Sequence, residues 1–404
     1  MSRRPLVIAI LALLAVALLV PIVLLALAGR PATGEPAAHT SASAELVAAG
    51  PLRPDQVGWV YAPMAVAPPR PSYTLQAGTL AHAGPALDFE VAWAADPTVH
   101  LGREPAVGPI IGGAVVYVED DGARSTVRRA EARPGGMNER LAELPEIVWS
   151  MAVAPDGRSA FLALVDRENF ETDLGIARLA LDGSGELERV MDPMPVANSR
   201  PDVVLAAFIS FDVDLSVSAD GRHLLRRGCQ GAAGCRLDVL DVATGAVTDQ
   251  GQRELIGAAG GILLVQGCDM ANCWVEAIDL SSGASQRLGA KVLQATITVV
   301  DGRAIIPFID GDDAGGLVLR ALDPIDGRVS DVLRPPRGSG VMLDPFVHGL
   351  KLSMPEGHLL IAVPGEAIGA VVAERNLAVP LRGGEPVELP EVPFRPVEPP
   401  GPRG

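Results

Sequence analysis

One pattern recurs along this chain and restricts what it can fold into: an alternating apolar and polar run, a tight turn of the Asp-Gly type, then a second, more apolar run. The stretch "FDVDLSVSADGRHLLRRG" from Phe211 shows it most clearly. Phe211, Val213, Leu215 and Val217 alternate with Asp212, Asp214, Ser216 and Ser218, a period of two that puts the apolar set on one face of a strand. Related runs are "VWSMAVAPDGRSAFLALVD" from Val148, "LIGAAGGILLVQG" from Leu255, "ITVVDGRAIIPFID" from Ile297 and "GLKLSMPEGHLLIAVPG" from Gly349, with a weaker copy, "PIIGGAVVYVED", from Pro109. A third strand with a closing glycine turn follows most of them: "DLGIARLALDGSG", "CRLDVLDVATG", "CWVEAIDLSSG" and "GLVLRALDPIDG". One such unit cannot bury its apolar faces alone, so the copies must stack on one another.

Successive units start about 40 to 65 residues apart, the spacing of four-stranded propeller blades. The 44 Gly and 35 Pro among 404 residues suit many short strands joined by tight turns. The expectation is an all-β fold, a β-propeller of six to seven four-stranded blades. Six units are recognisable, and residues 57–106 supply either a degenerate seventh blade or the strand that closes the ring. Two stacked β-sandwiches are the rival architecture, but the same two turns recurring in the same order favour the propeller. "APDGR" at 154–158 and "SADGR" at 218–222, each followed by an apolar strand and later a D-x-x-[TS]-G turn, resemble the WD40-like or TolB-type bacterial β-propeller repeat over roughly residues 107–390. The Trp-Asp dipeptide of WD40 repeats is absent. The resemblance implies protein–protein contact in a cell envelope and brings no catalytic motif with it.

The ends of the chain differ from its middle. Pro5 to Gly29 carries no charge and as a helix would reach about 35 Å, enough to cross a bilayer. Arg3 and Arg4 precede it, so residues 1–30 are expected to be a transmembrane signal-anchor with a cytoplasmic N-terminus: a single-pass cell-membrane protein whose propeller lies outside the cytoplasm. The alternative is a secreted protein cleaved after "ALA" at 26–28. Residues 31–56 read as a stalk, 57–392 as the propeller and 393–404 as a proline-rich tail.

The four cysteines form two close pairs at matching points of two units, Cys229 with Cys235 and Cys268 with Cys273. On the propeller reading each pair flanks the hairpin between the second and third strands of a blade. Facing residues of an antiparallel pair have Cα atoms about 4.5 to 5.5 Å apart, within disulfide reach. A four-thiolate zinc site is the competing reading. Its C-x5-C and C-x4-C spacings are loose for zinc, and tips on neighbouring blades stand too far apart to share one metal. Two disulfides are expected, and these belong outside the cytosol.

The hairpins between second and third strands share one rim. Two of them are acidic: Asp166 to Asp173, with Asp166, Glu168, Glu171 and Asp173 around Phe170, and Asp310 to Gly316, with Asp310, Asp312 and Asp313. They are the candidate surface for an unidentified envelope partner, with solvated hairpins as the plainer explanation. Asp212 and Asp214 are candidate channel residues, because the strand before the turn is normally the innermost. The formal charge of −16 and the 4% aromatic content argue against nucleic acid. No G-x-S-x-G, H-E-x-x-H or phosphate-loop motif is present, so no catalytic residue, metal or cofactor is assigned. The expected function is an envelope-anchored binding or scaffolding module, the alternatives being a small-ligand sensor and a metal-dependent hydrolase or lyase working in the channel.

Overall fold

A computed structural model describes residues 52–62, 64–65, 72–92, 105–169, 172–194, 212–229, 235–268, 273–289, 291–311, 315–336, 339–343, 350–364, 374–390 and 392. They belong to a single compact unit, residues 48–404. The apolar run 5–29, most of the predicted stalk and the tail 393–404 lie outside the described residues. Among the described residues no helix is long and apolar enough to cross a membrane.

Seven antiparallel sheets follow one another along the chain as a seven-bladed propeller built on a four-stranded pattern. Blade 1 holds Gly58–Tyr61, Met64–Ala65, Ser72–Thr79 and Leu87–Val91; blade 2 holds Ala114–Asp120, Ser125–Glu131 and Asn138–Leu144. Blade 3 comprises Ile147–Val153, Ser159–Val165, Asp173–Ala180 and Leu187–Met191, and blade 4 Asp212–Val217, His223–Cys229, Cys235–Asp241 and Val247–Asp249. Blade 5 runs through Glu254–Ala259, Ile262–Cys268, Cys273–Asp279 and Ser285–Arg287. Blade 6 combines Val292–Ala295, Thr298–Val300, Arg303–Gly311, Leu317–Leu322 and Val329–Leu333, and blade 7 Met342–Leu343, His358–Pro364, Glu374–Pro380 and Val387–Glu388. Residues 57–91 therefore supply a seventh blade, and a strand of late sequence closes the ring. Leu350–Ser353 leaves its neighbours in blade 7 and pairs antiparallel with Gly58–Tyr61 of blade 1. One apolar cluster spans the joint, with Trp59 and Val57 against Leu360, Ala378 and Leu389. Leu52 is buried in the same cluster, so the packed body begins before the expected boundary at residue 57.

Burial across a blade explains the composition of its strands. The second strand of blade 3, Ser-Ala-Phe-Leu-Ala-Leu-Val over Ser159–Val165, is buried at every position because neighbouring sheets cover both its faces. The outer strands Val247–Asp249 and Ser285–Arg287 are exposed throughout and correspondingly polar and short. Each fully buried Leu, Ile or Phe contributes about 1.5–3 kcal/mol, which makes the inter-blade clusters the main source of stability.

The recurring turns are structural. In "DVATG" and "DLSSG" the aspartates Asp241 and Asp279 accept hydrogen bonds from the backbone N–H groups two and three residues on, at 2.8–3.0 Å. Asp301 and Gly302 both take positive φ, 53° and 73°, the pairing that a two-residue hairpin of the right twist requires. In "SADGR", Asp220 accepts the N–H of Gly260 at 2.9 Å, pinning the turn of blade 4 to that of blade 5.

Candidate functional site

The acidic hairpin Asp166 to Asp173 does not present its charges as one accessible rim. Asp166 closes its own turn, accepting the N–H groups of Glu168 at 2.7 Å and Asn169 at 3.0 Å. Glu168 is exposed, whereas Phe170 and Glu171 lie outside the described residues. Arg167, beside these acids, reaches back to blade 2 and binds the fully buried Asp120 through two parallel hydrogen bonds. Asp120 is also held by the Ser125 hydroxyl at 2.7 Å and the Gly122 N–H at 2.8 Å. Asp173 corrects the sequence expectation: it is buried, 5% exposed, and points into the joint with blade 4. There it lies 3.5 Å from the Arg226 guanidinium and accepts the N–H groups of Gly175 and Met194. Arg226 is itself buried and bonds Asp238 at 2.7 Å, and Asp238 takes a further bond from Arg236 at 2.8 Å. The hairpin is thus a clamp between blades 2, 3 and 4. In blade 6, Asp310 is largely buried and ion-paired with Arg320, while Asp312 and Asp313 lie outside the described residues.

The candidate channel residues are likewise engaged. Asp212 accepts the indole N–H of Trp149 from blade 3 at 3.4 Å. Asp214 is mostly exposed and lies 3.5 Å from Arg227 on the adjacent strand. Among the described residues no group of three or more His, Cys, Asp or Glu side chains is arranged to hold a metal ion.

Cys229 and Cys235 face each other across the blade 4 hairpin and are joined by a disulfide. Cys268 and Cys273 occupy the same register positions in blade 5, backbone opposite backbone.

Next to that second pair the structure holds a site that the sequence pattern did not reveal. A cleft of about 350 Å³ opens where blade 5 meets the first strands of blades 6 and 7. Blade 5 contributes Ile256, Gln266, Trp274 and Val275, blade 6 Val292 to Ala295 with Thr296, and blade 7 Leu343. Trp274 follows Cys273 directly, so the hairpin sets its position, and Gly267 opposite it leaves room for the ring: a Cβ there would stand 2.7 Å from the indole. The guanidinium of Arg287 stacks over the indole at 4.1 Å from its centroid. The indole N–H is buried and finds no hydrogen-bond partner among the described residues. Gln294 accepts the Leu343 N–H at 2.8 Å, which ties its amide oxygen to blade 7. Leu293 stands at the lip, 64% exposed. Among the described residues no ionisable side chain lines the cleft. Such a wall offers apolar contact, an aromatic ring and hydrogen-bond donors.

No protein-family model matches the chain, and no curated protein matches it. Solved structures do resemble it. The acylaminoacyl peptidase of Pyrococcus horikoshii is 12% identical over 83% of this chain and 51% of its own, with a TM-score of 0.48. TolB from Acinetobacter baumannii is 14% identical over 82% of this chain and 83% of its own, with a TM-score of 0.33. The β-propeller domain of the Trilobed protease from Pyrococcus furiosus, described as having an open velcro topology, is 10% identical over 83% of this chain and 95% of its own, with a TM-score of 0.46. This chain spans about half the length of the acylaminoacyl peptidase. The number of blades rests on the strand pairing described above.

Proposed function

We propose that this chain is a binding module of the cell envelope, a propeller held outside the cytoplasm by its apolar N-terminal run, which docks a protein partner at the cleft between blades 5 and 6. The observation that carries this reading is the lining of the cleft: among the described residues, Trp274, two glutamines, a threonine and aliphatic side chains, with no titratable group. An aromatic ring flanked by amide and aliphatic groups on an accessible wall suits the docking of a partner. The Cys229–Cys235 disulfide supports an oxidising compartment, and with it the orientation proposed for residues 5–29.

The test is in-cell crosslinking followed by purification through a C-terminal tag and mass spectrometry. One specific envelope protein recovered in near-equal amount is the expected result, and recovery of no specific protein would overturn the reading. The volume of the cleft also lies within the small-ligand range, which keeps a ligand sensor as a second reading. Ligand-dependent thermal stabilisation without a partner would favour that sensor.

A further inference from the structure

The period of two sends the adjacent arginines of "HLLRRGC" to opposite faces of their strand. Arg226 turns to Asp173 and Asp238. Arg227 shares a face with Cys229, two residues on, and its guanidinium donates to the Cys235 Sγ at 3.8 Å, a hydrogen-bond distance for sulfur. The same guanidinium lies 3.5 Å from Asp214, whose side chain is 61% exposed, so water screens that pair. The Arg227 Nε is buried and finds no hydrogen-bond partner among the described residues. A cation with donor capacity to spare therefore rests against one sulfur of the Cys229–Cys235 disulfide. Cys229, at the other sulfur, stands opposite Asp212 in the ladder. Negative charge is favoured on Cys235 and opposed on Cys229.

The chain carries its own comparison. Blade 5 reads Val265-Gln266-Gly267-Cys268 where blade 4 reads Arg226-Arg227-Gly228-Cys229. Cys268 and Cys273 hold the same register as Cys229 and Cys235, so the place of Arg227 is taken there by the uncharged Gln266. Such a charge matters little while a disulfide is intact and much once it opens. A thiolate beside a guanidinium leaves more readily, and stabilising the reduced form makes the disulfide a stronger oxidant.

We propose that Cys229–Cys235 is an exchangeable disulfide that accepts electrons from a dithiol, with Arg227 holding the departing Cys235 thiolate. One thiolate of the dithiol attacks the Cys229 Sγ. A new sulfur–sulfur bond forms there as the Cys229–Cys235 bond breaks, and its electron pair leaves on Cys235 beside Arg227. The second thiolate of the reductant then attacks the reductant's own first sulfur, closes a disulfide within it and expels Cys229, which takes a proton from water. The dithiol loses the two electrons that the protein's disulfide gains. The cleft has no part in this chemistry, so the proposal stands or falls apart from the binding-module reading.

The full chain in detergent is treated with dithiothreitol at one fixed pH, quenched in acid at intervals and alkylated, and Cys229 and Cys235 are followed by peptide mass spectrometry. Arg227→Gln, which copies blade 5, is expected to slow the opening at least about threefold, whereas Arg227→Lys, which keeps the charge, is expected to stay near the parent rate. Glutathione in place of dithiothreitol locates the attack on the parent protein, without any variant. The mixed disulfide is expected on Cys229, with Cys235 alkylated. An unchanged rate in folded Arg227→Gln, an Arg227→Lys as slow as Arg227→Gln, or glutathione carried by Cys235 or by neither cysteine would overturn the proposal.

Discussion

The Asp120 carboxylate of blade 2 receives two parallel hydrogen bonds from the Arg167 guanidinium of blade 3, at 3.1 and 2.9 Å, with no exposure to solvent on the aspartate side. The same hairpin that sends Arg167 backward sends Asp173 forward to Arg226 of blade 4. A loop whose composition reads as an acidic patch therefore acts as a two-sided staple between three blades.

Removing one partner from such a pair strands the other in the interior, at a cost of about 3–5 kcal/mol. Arg167→Ala is expected near the lower end, because Ser125 and Gly122 still serve Asp120. Arg226→Leu is expected to cost more, since it removes the guanidinium from Asp173 and Asp238 together and leaves Asp173 only its backbone N–H bonds. Urea unfolding of the purified protein checks the order, and equal stability of both variants with the parent contradicts the staple.

The turn aspartates contribute to stability in a way that depends on pH at the acid end. Thr244, through its backbone N–H and then its hydroxyl, holds the Asp241 carboxyl below its ordinary range. The Ser281 hydroxyl, followed by the backbone N–H groups of Ser282 and Ser281, does the same for Asp279. A carboxylate that is more acidic when folded adds stability above its unfolded pKa of about 3.9 and loses it as pH falls through the folded value. The melting temperature is expected to hold from pH 7 to about 5 and to fall below about pH 4, less steeply in Asp279→Asn. An identical acid profile for that variant would remove the turns from the explanation.

How much of this was legible from sequence follows from range. Period-two alternation and the turn residues are local, so blades 3 to 6 are visible in "APDGR", "SADGR", "VDGR" and the closing glycine turns, whereas the run from Gly349 that reads as one hairpin is divided, with Leu350–Ser353 in blade 1 and His358–Pro364 in blade 7. Blade 1 has weak turn signals and borrows Leu350–Ser353 from the far end of the chain, which no local pattern reports. Arg226 carried a hint: a charge inside the apolar strand "HLLRRGC" needs a buried partner. A count of loop charges treats each as solvated, so it does not separate the buried Asp173 from its exposed neighbour Glu168. The cleft draws residues from 256 to 343 on three blades, and no local pattern reports such a meeting.

Thiol chemistry tests the equivalence of blades 4 and 5. Mass spectrometry of non-reduced, thiol-blocked protein is expected to show two disulfides, Cys229–Cys235 and Cys268–Cys273, and alkylation of the second pair would break the parallel. Each short loop contributes about 2 kcal/mol on the loop-entropy estimate, so Cys229→Ser with Cys235→Ser is expected to lower stability without unfolding the protein.

Gly267 marks the support of the cleft. Its missing Cβ makes room for the Trp274 indole, and a methyl there would stand 2.7 Å from the ring. Gly267→Val is expected to displace Trp274 and shift its fluorescence relative to a Trp274→Phe control while leaving the far-ultraviolet circular dichroism unchanged. An unchanged emission spectrum would mean that the indole does not rest there.

The most direct test of the account is site-specific photo-crosslinking in living cells, with a photoreactive residue placed at Leu293 on the lip of the cleft or at Val247 on the exposed outer strand of blade 4. The account predicts an intermolecular adduct with one envelope protein from position 293 and none from 247. Adducts of the same pattern from both positions, or none from 293, would contradict the cleft as the binding site.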